Sequence, residues 1–304
     1  MQDLSKFARA AWFTTAYNIA VILWGAWVRI SGSGAGCGEH WPTCNGQILP
    51  RDPSTATMIE FAHRATSGLT LIFTLGIAIW AARLFAKTSI VRRAANTTLV
   101  FVLLEAALGA LLVIFGLVDK DESTARALVV GVHLVNTFGL VGAGALCAWW
   151  ASGHAVPTLS RPHLPGRNLF LMAAVGILLV GMTGAITALG DTLFPVSPTD
   201  GQGLLARIRD DITAGEHFLV RLRVLHPAIA IVVGSGLMML GFRQMERFPG
   251  PSKWVVGLVT IELIAGLANI YLAAPGWMQI IHLLLADLLW VSLLILASES
   301  LADA

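Results

Sequence analysis

Charged residues are scarce in this chain of 304 residues: Asp, Glu, Lys and Arg make up 12% of it, against 56% for hydrophobic residues. A soluble domain usually carries about 25% charged residues, so this chain has too few to cover a water-soluble globule. That excludes a soluble enzyme and a disordered chain, and the net charge of +2 is too small to indicate a nucleic-acid partner. Three cysteines are too few for a disulfide scaffold. The remaining class is an integral membrane protein.

Long apolar runs are abundant, and eight of them can each cross a bilayer as a helix, which takes about 20 residues. They are continuous rather than alternating, which excludes a transmembrane β-barrel, and backbone hydrogen bonding in lipid then requires helices. The predicted spans are residues 12–30, 61–82, 95–118, 127–150, 168–189, 224–242, 254–273 and 279–298. We therefore predict an all-α integral membrane protein.

Basic residues near the span ends predict which side of the membrane each connection occupies. One set of connections carries Lys6, Arg9, Arg83, Lys87, Arg92, Arg93, Arg161, Arg167, Arg243, Arg247 and Lys253. The opposite connections carry Glu39, Asp52, Asp119, Asp121, Glu122, Asp191, Asp200, Asp210, Asp211 and Glu216, although Arg207, Arg209, Arg221 and Arg223 also lie there. The pattern predicts a multi-pass protein with both termini in the cytoplasm.

The first apolar run has a second interpretation as a signal peptide. It is too long for a signal sequence and is interrupted by Asn18, so we predict a retained helix. With no transit segment recognised ahead of it, the expected location is the inner (cytoplasmic) membrane of a bacterium.

The two halves of the chain resemble each other. Gly25 aligns with Gly181 where the first and fifth spans run into loops. The third and seventh spans each carry a glutamate followed four residues later by glycine: Glu105 and Gly109, Glu262 and Gly266. Four spans per half is an even number, so the halves would be parallel repeats about an axis normal to the membrane. We predict two pseudo-symmetric four-helix bundles, residues 1–155 and 156–304.

Four of the eight histidines lie within spans, near the outer ends: His63, His133, His226 and His282. The even-numbered spans all run from outside to inside, so each half has a pair at one depth. An imidazole in an apolar helix needs partners, and a pair on facing helices can hold a haem iron. Two protein ligands suit a haem iron better than a zinc ion, which requires four ligands in a tetrahedron. Ordinary packing is the alternative for any single histidine, but four at matching positions favour ligands.

Glu60 lies three residues before His63, on the same helix face, and the matching residue in the second half is Arg223. A carboxylate can act as a general base or stabilise a developing cation, whereas an arginine suits a haem propionate. We therefore expect a substrate site in the first half and a permanent cofactor in the second. The alternative for Glu60 is an interfacial ion pair with Arg64.

Cys37 and Cys44 lie in the first outer loop, where an oxidising compartment favours a disulfide. A reversible redox pair and two free thiols are the alternatives. Three acids lie within spans, where such residues usually have a partner or a role: Glu105, Glu262 and Asp287. The sequence leaves their roles open between a proton path and a hydrogen bond to a buried group.

Several segments resemble one known family closely. Residues 28–34 read VRISGSG, residues 37–38 read CG, residues 41–46 read WPTCNG and residues 60–64 read EFAHR. Together with the eight spans and four histidines, these motifs are similar to those of haem A synthases over nearly the whole chain.

The resemblance implies oxidation of the C8 methyl group of haem O to a formyl group, which gives haem A for terminal oxidases. It implies that His226 and His282 are axial ligands of a bound haem b, that His63 and His133 ligate the haem O substrate, and that Glu60 lies beside the reacting methyl. A haem O synthase is then the expected neighbour in the lipid bilayer. The electron acceptor, the oxygen source and the oligomeric state, with a homo-oligomer as one option, stay open.

One departure from the family pattern concerns cysteine. Many bacterial members carry a second cysteine pair in the outer loop of the second half, but residues 190–223 contain none. A structural role for Cys37 and Cys44 therefore gains weight.

Two other functions compete with this interpretation. A two-haem electron carrier of cytochrome b type would explain the four histidines but not the difference between Glu60 and Arg223. A transporter built from parallel repeats would place its substrate site at mid-membrane, whereas the histidines lie near the outer face.

Overall fold

The chain folds into α-helices, and the computed structural model describes residues 2–157, 166–195 and 217–302. Within these ranges, eight helical segments are long and apolar enough to cross a membrane. The helices are α1 (Gln2–Ile30), α2 (Thr55–Leu84), α3 (Ile90–Ile114), α4 (Thr124–Ala151), α5 (Arg167–Leu193), α6 (Phe218–Leu222), α7 (Leu225–Gln244), α8 (Pro249–Tyr271) and α9 (Gly276–Ala302). The prediction of an all-α, multi-pass membrane protein is confirmed.

Helices α1, α2, α3 and α8 begin five to ten residues before the predicted spans. Two further differences have local reasons. Helix α3 ends at Ile114 rather than at residue 118, because the chain turns at Gly116, whose φ of +65° favours glycine. The sixth span consists of α6 and α7, which are separated at residues 223–224. Pro227 has no N–H to donate to the carbonyl of Arg223, four residues earlier, so a continuous helix cannot form there.

Each half of the chain packs as a ring of four helices. Helices α1 and α3 each contact both α2 and α4, while α5 and α8 each contact both α7 and α9. The two rings share a face in which α4 packs on α5 and α9, and α1 packs on α9. The pseudo-symmetry of the halves and the division at residues 155 and 156 stay predictions.

Small residues allow close approach at this shared face, as they do in many membrane proteins. A Cβ added at Gly142 would lie 2.7 Å from Nε1 of Trp290, and one at Gly181 would lie 2.3 Å from Cε2 of Phe138. Nε1 of Trp290 also donates to the backbone carbonyl of Phe138 at 2.7 Å. The backbone of α4 therefore lies in direct contact with a side chain of α9, and a side chain of α4 lies against the backbone of α5.

A disulfide between Cys37 and Cys44 closes part of the loop 31–54, which confirms that prediction. The side of the membrane on which this loop lies is called the outer side here. Oγ1 of Thr57, in the first turn of α2, donates to the carbonyl of Gly36 at 2.8 Å. Side-chain oxygens cap the two first-half helices that begin on this side, since Ser54 accepts from the amide of Thr57 and Ser123 accepts from that of Arg126.

Some residues used in the sequence analysis lie outside the described ranges. They are Arg161, Asp200, Arg207, Arg209, Asp210, Asp211 and Glu216. The predicted location of the termini in the cytoplasm stays a prediction.

Candidate functional site: two intramembrane histidine pairs

The second-half pair consists of His226 at the start of α7 and His282 in α9. Their ring centroids lie 6.3 Å apart, and the ring planes are inclined at 82°. A metal ion lies about 2 Å from a ligating histidine nitrogen, so two imidazoles on opposite sides of one metal have ring centres roughly 6 Å apart. The separation of His226 and His282 therefore fits a single metal ion between them.

One nitrogen of each of these rings already has a neighbour. Nδ1 of His282 lies 3.2 Å from Oε2 of Glu262, and Nδ1 of His226 lies 3.3 Å from Oγ1 of Thr183. A second partner at Nδ1 fixes the orientation of a ligating imidazole and leaves Nε2 for the metal. The pair is thus oriented for ligation through both Nε2 atoms.

The first-half pair is built in a related way. Nδ1 of His133 lies 3.2 Å from Oε1 of Glu105, and Glu105 also accepts from Oγ1 of Thr137 at 2.7 Å and from Nδ2 of Asn136. His63 interacts electrostatically with His133, and its buried Nδ1 has no hydrogen-bond partner among the described residues. Glu105 and Glu262, whose roles the sequence left open, therefore occupy equivalent positions beside one histidine of each pair.

Glycines on the neighbouring helices make room for two of the rings. A Cβ at Gly25 would lie 2.9 Å from Cε1 of His63, and one at Gly184 would lie 3.0 Å from Cε1 of His226. Gly184 is thus the counterpart of Gly25, and the predicted alignment with Gly181 is wrong by three residues. The error is less than one helical turn, so a sequence alignment of two glycine-rich helix ends could not resolve it.

Glu60 lies one turn outward of His63 and is buried, with 3% of its surface exposed. Its Oε2 accepts from the amide of Cys37 at 2.8 Å, and its Oε1 accepts from Arg64 at 2.5 Å and 3.1 Å. The ion pair with Arg64, the alternative left open by the sequence, is therefore present. Arg64 also donates to the carbonyls of His40 and Thr43, so this pair holds the disulfide loop over the first-half histidines.

Arg223 takes the corresponding place in the second half. Its Nη2 donates to the carbonyls of Gly190, at 2.8 Å, and Phe194, and its Nε lies 2.9 Å from Oδ1 of Asp191. The guanidinium thus binds the outer end of α5, one turn outward of His226. Its predicted contact with a haem propionate stays a prediction.

Two further polar residues lie between the halves, and the sequence analysis gave them no site role. Arg29 donates from Nη1 to the carbonyl of Ala188 at 2.6 Å and from Nη2 to Oε1 of Gln279 at 2.9 Å. Asp287 is fully buried, interacts electrostatically with Glu105 and Glu262, and has no hydrogen-bond partner among the described residues. The only sequence signals were the position of Arg29 in the VRISGSG motif and the rarity of acids within spans.

The donor set suits haem iron. No group of three or more His, Cys, Asp or Glu side chains that could hold a metal ion occurs in the described part of the chain, so each site offers its two imidazoles. A haem takes four ligands from its own ring and two axial ones from the protein. The spacing and orientation of His226 and His282 meet that requirement, and the apolar helices around them suit a flat macrocycle.

Eight spans and two histidine pairs define a multi-pass membrane protein with paired imidazoles in its interior. The COX15-CtaA family model, described as "Cytochrome oxidase assembly protein", matches residues 8–294. The chain is 36% identical over 274 residues to "Heme A synthase" of Bacillus licheniformis, covering 85% of this chain and 84% of the relative. It is 29% identical over 259 residues to "Heme A synthase" of Symbiobacterium thermophilum, covering 83% and 81%. The chain therefore belongs to the haem A synthase family.

Another relative carries a different name. The chain is 46% identical over 302 residues to "Protoheme IX farnesyltransferase" of Thermus thermophilus. The match covers 98% of this chain but 49% of that relative, so the chain spans about half of the relative's length.

Proposed function

We propose that this protein oxidises the C8 methyl group of haem O to a formyl group and so produces haem A. Membership of the family supports this reaction, and the separation of 6.3 Å between the rings of His226 and His282 is the structural observation that carries it. Oxidation of a methyl group needs a redox cofactor, because amino-acid side chains supply neither the oxidant nor the electron acceptor. A haem b held by His226 and His282 is the cofactor in this proposal.

The residues of the second half act on the cofactor. A haem b held by these two imidazoles would supply one-electron transfer. Glu262 and Thr183 hold the Nδ1 sides of His282 and His226, which would leave each Nε2 to bind the iron. Arg223, one turn outward, binds a propionate in this proposal.

The residues of the first half act on the substrate. His63 and His133 bind the iron of haem O, with Glu105 orienting His133. Glu60 lies at the outer rim of this site and accepts the proton as a C–H bond of the methyl group is broken, while the two electrons of that bond go to the external electron acceptor that the oxidation requires. Its contacts with Arg64 and the amide of Cys37 hold the carboxylate in place, which gives the disulfide loop a positioning role.

The setting of the reaction forms part of the proposal. Both termini lie in the cytoplasm, the histidine pairs lie towards the outer face of a bacterial inner membrane, and a haem O synthase in the same membrane delivers the substrate. Such a neighbour is chemically reasonable because haem O is too apolar to cross water freely.

The decisive experiment supplies purified protein with haem O and an electron acceptor and identifies the products by mass. Formation of haem A or its hydroxylated precursor supports the proposal. Unchanged haem O in a protein whose haem is redox-active would instead support the electron carrier. A parallel reaction with haem b and farnesyl diphosphate tests the activity that names the Thermus relative, and the Glu60→Gln variant serves as the matched control for methyl oxidation.

A further inference from the structure

Three polar side chains are buried in the first half without a partner: Asn18 on α1 and Thr70 and Thr74 on α2. They are exposed by 1%, 7% and 0%, and no hydrogen-bond partner for Oδ1 or Nδ2 of Asn18 or for either threonine Oγ1 occurs among the described residues. Helical threonines commonly bond the carbonyl four residues earlier, as Thr66 does. Unsatisfied polar atoms are costly inside a membrane, so these residues, the polar trio, indicate a missing partner.

The polar trio lies directly inward of the first-half histidine site. Thr70 and Thr74 follow His63 by seven and eleven residues, which places all three on one face of α2. Asn18 precedes Gly25 by seven residues, and Gly25 packs against His63. Seven helical residues correspond to about 10 Å, so Asn18 and Thr70 share one depth below His63, and Thr74 lies one turn deeper.

The corresponding positions of the second half are apolar. Seven residues before Gly184 is Ile177, and seven and eleven residues after His226 are Val233 and Leu237. These three side chains belong to the packed hydrophobic core of that half. The fold therefore does not require polar residues at these positions, and the difference between the halves concerns what each site binds.

The two proposed haems differ in one substituent of the ring. Haem b carries a vinyl group where haem O carries a farnesyl chain with a hydroxyl on the carbon next to the ring, on the ring edge opposite the propionates. Arg223 is proposed to bind a propionate at the outer side of the second half. A substrate bound with the same orientation in the first half would direct that hydroxyl inward, towards the polar trio. A hydroxyl both donates and accepts, and the amide of Asn18 together with the hydroxyl of Thr70 can supply both partners.

We propose that Asn18 and Thr70 bind the ring-proximal hydroxyl of the substrate, and that Thr74 extends this polar lining along the side chain. The inference rests on the proposed function in placing haem O between His63 and His133. A site built to hydrogen-bond a substrate hydroxyl discriminates strongly against an analogue that lacks it. The polar trio thus selects haem O in the first half, while Ile177, Val233 and Leu237 favour the vinyl-bearing haem in the second.

Two synthetic haems isolate the hydroxyl from the farnesyl chain. Iron haematoporphyrin carries hydroxyethyl groups where iron mesoporphyrin carries ethyl groups. Each is titrated into purified protein that retains its second-half haem, and binding is followed by the Soret absorbance. The wild type should bind the hydroxyl-bearing haem roughly five- to tenfold more tightly, the effect of one net hydrogen bond, and the His63→Ala variant should lose binding of both.

Variants that copy the second half test the residues themselves. Asn18→Ile and Thr70→Val should bring the ratio of the two affinities close to one, while Thr260→Val, the same change at an exposed position of α8, should leave the ratio unchanged. Retention of the second-half haem verifies that a variant is folded. If Asn18→Ile does not retain that haem, the isosteric Thr70→Val variant alone decides the test. Equal affinities in the wild type, an unchanged ratio in the variants, or equal weakening of both ligands would overturn the inference.

The outcome is separable from that of the proposed function. A hydroxyl preference that depends on Asn18 and Thr70, in a protein that does not convert haem O, would support this binding site and refute the proposed reaction. Production of haem A without any such preference would do the opposite.

Discussion

Replacing Glu262 with glutamine should weaken the hold of the second-half site on the haem b that is proposed to bind there. The carboxylate of Glu262 lies 3.2 Å from Nδ1 of His282. From there it favours the tautomer in which Nε2 bears the lone pair, and it makes the imidazole a stronger donor. Glutamine keeps an oxygen at this place but removes the charge, so both effects diminish while the volume of the side chain is preserved.

The expected loss is roughly 10- to 100-fold in affinity, the usual effect of removing such a partner. This corresponds to about 1.4–2.7 kcal/mol. The measurement is the rate of haem transfer to excess apomyoglobin, followed at the Soret band. The midpoint potential of the remaining haem should also rise, because a weaker donor favours the reduced iron.

Two controls make the result specific. Glu246→Gln changes an exposed glutamate after α7 and should leave the transfer rate at the wild-type value. Glu105→Gln removes the equivalent partner of His133 in the first half, so it should weaken the substrate site without accelerating loss of the second-half haem. A Glu262→Gln protein with an unchanged transfer rate and an unchanged potential would refute the assignment of Glu262 as the residue that orients His282.

Three other tests compare what the two halves bind and which residues each site needs. His226→Ala should remove the tightly bound haem, measured as the pyridine haemochrome, while His63→Ala should retain it; the reverse result would exchange the two sites. Glu60→Gln should retain that haem yet lower haem A formation by about 10²-fold or more, as for loss of a general base, and undiminished conversion would remove Glu60 from the reaction. Gly184→Val should lower haem content, because a Cβ there lies 3.0 Å from Cε1 of His226, whereas the same change at Gly236, which has no neighbour within 4 Å of such a Cβ among the described residues, should not.

Hydropathy and the alternating direction of successive spans were sufficient to predict the framework of this fold. Continuous apolar runs identify spans whatever their packing. Histidines near the start of every second span lie on one side, because those spans all run in the same direction. The separation of α6 from α7 was missed because an average over about 20 residues does not register one interruption. Pro227, immediately after His226, was the available signal.

Contacts between distant residues were beyond sequence reasoning. Glu105 and His133 are 28 residues apart, and Glu262 and His282 are 20 apart, so each contact depends on the register of two antiparallel helices joined by a turn. The repeated glutamate-and-glycine spacing marked both acids as special without naming their partners. Asn18 was noticed as an interruption of an apolar run, but its lack of a hydrogen-bond partner among the described residues becomes visible only when the surrounding helices are in place.

A single side chain connects the helices that support the two histidine sites. Arg29 lies four residues beyond Gly25, which packs on His63, and it donates to the carbonyl of Ala188, four residues beyond Gly184, which packs on His226. The link therefore joins α1 and α5 one turn outward of both sites, through a charge-assisted bond of 2.6 Å. The planar fork of the same guanidinium also reaches Gln279 on α9, the helix that carries His282. A shift of α1 caused by substrate binding beside His63 would consequently be transmitted through Arg29 to both helices that carry or support the second pair.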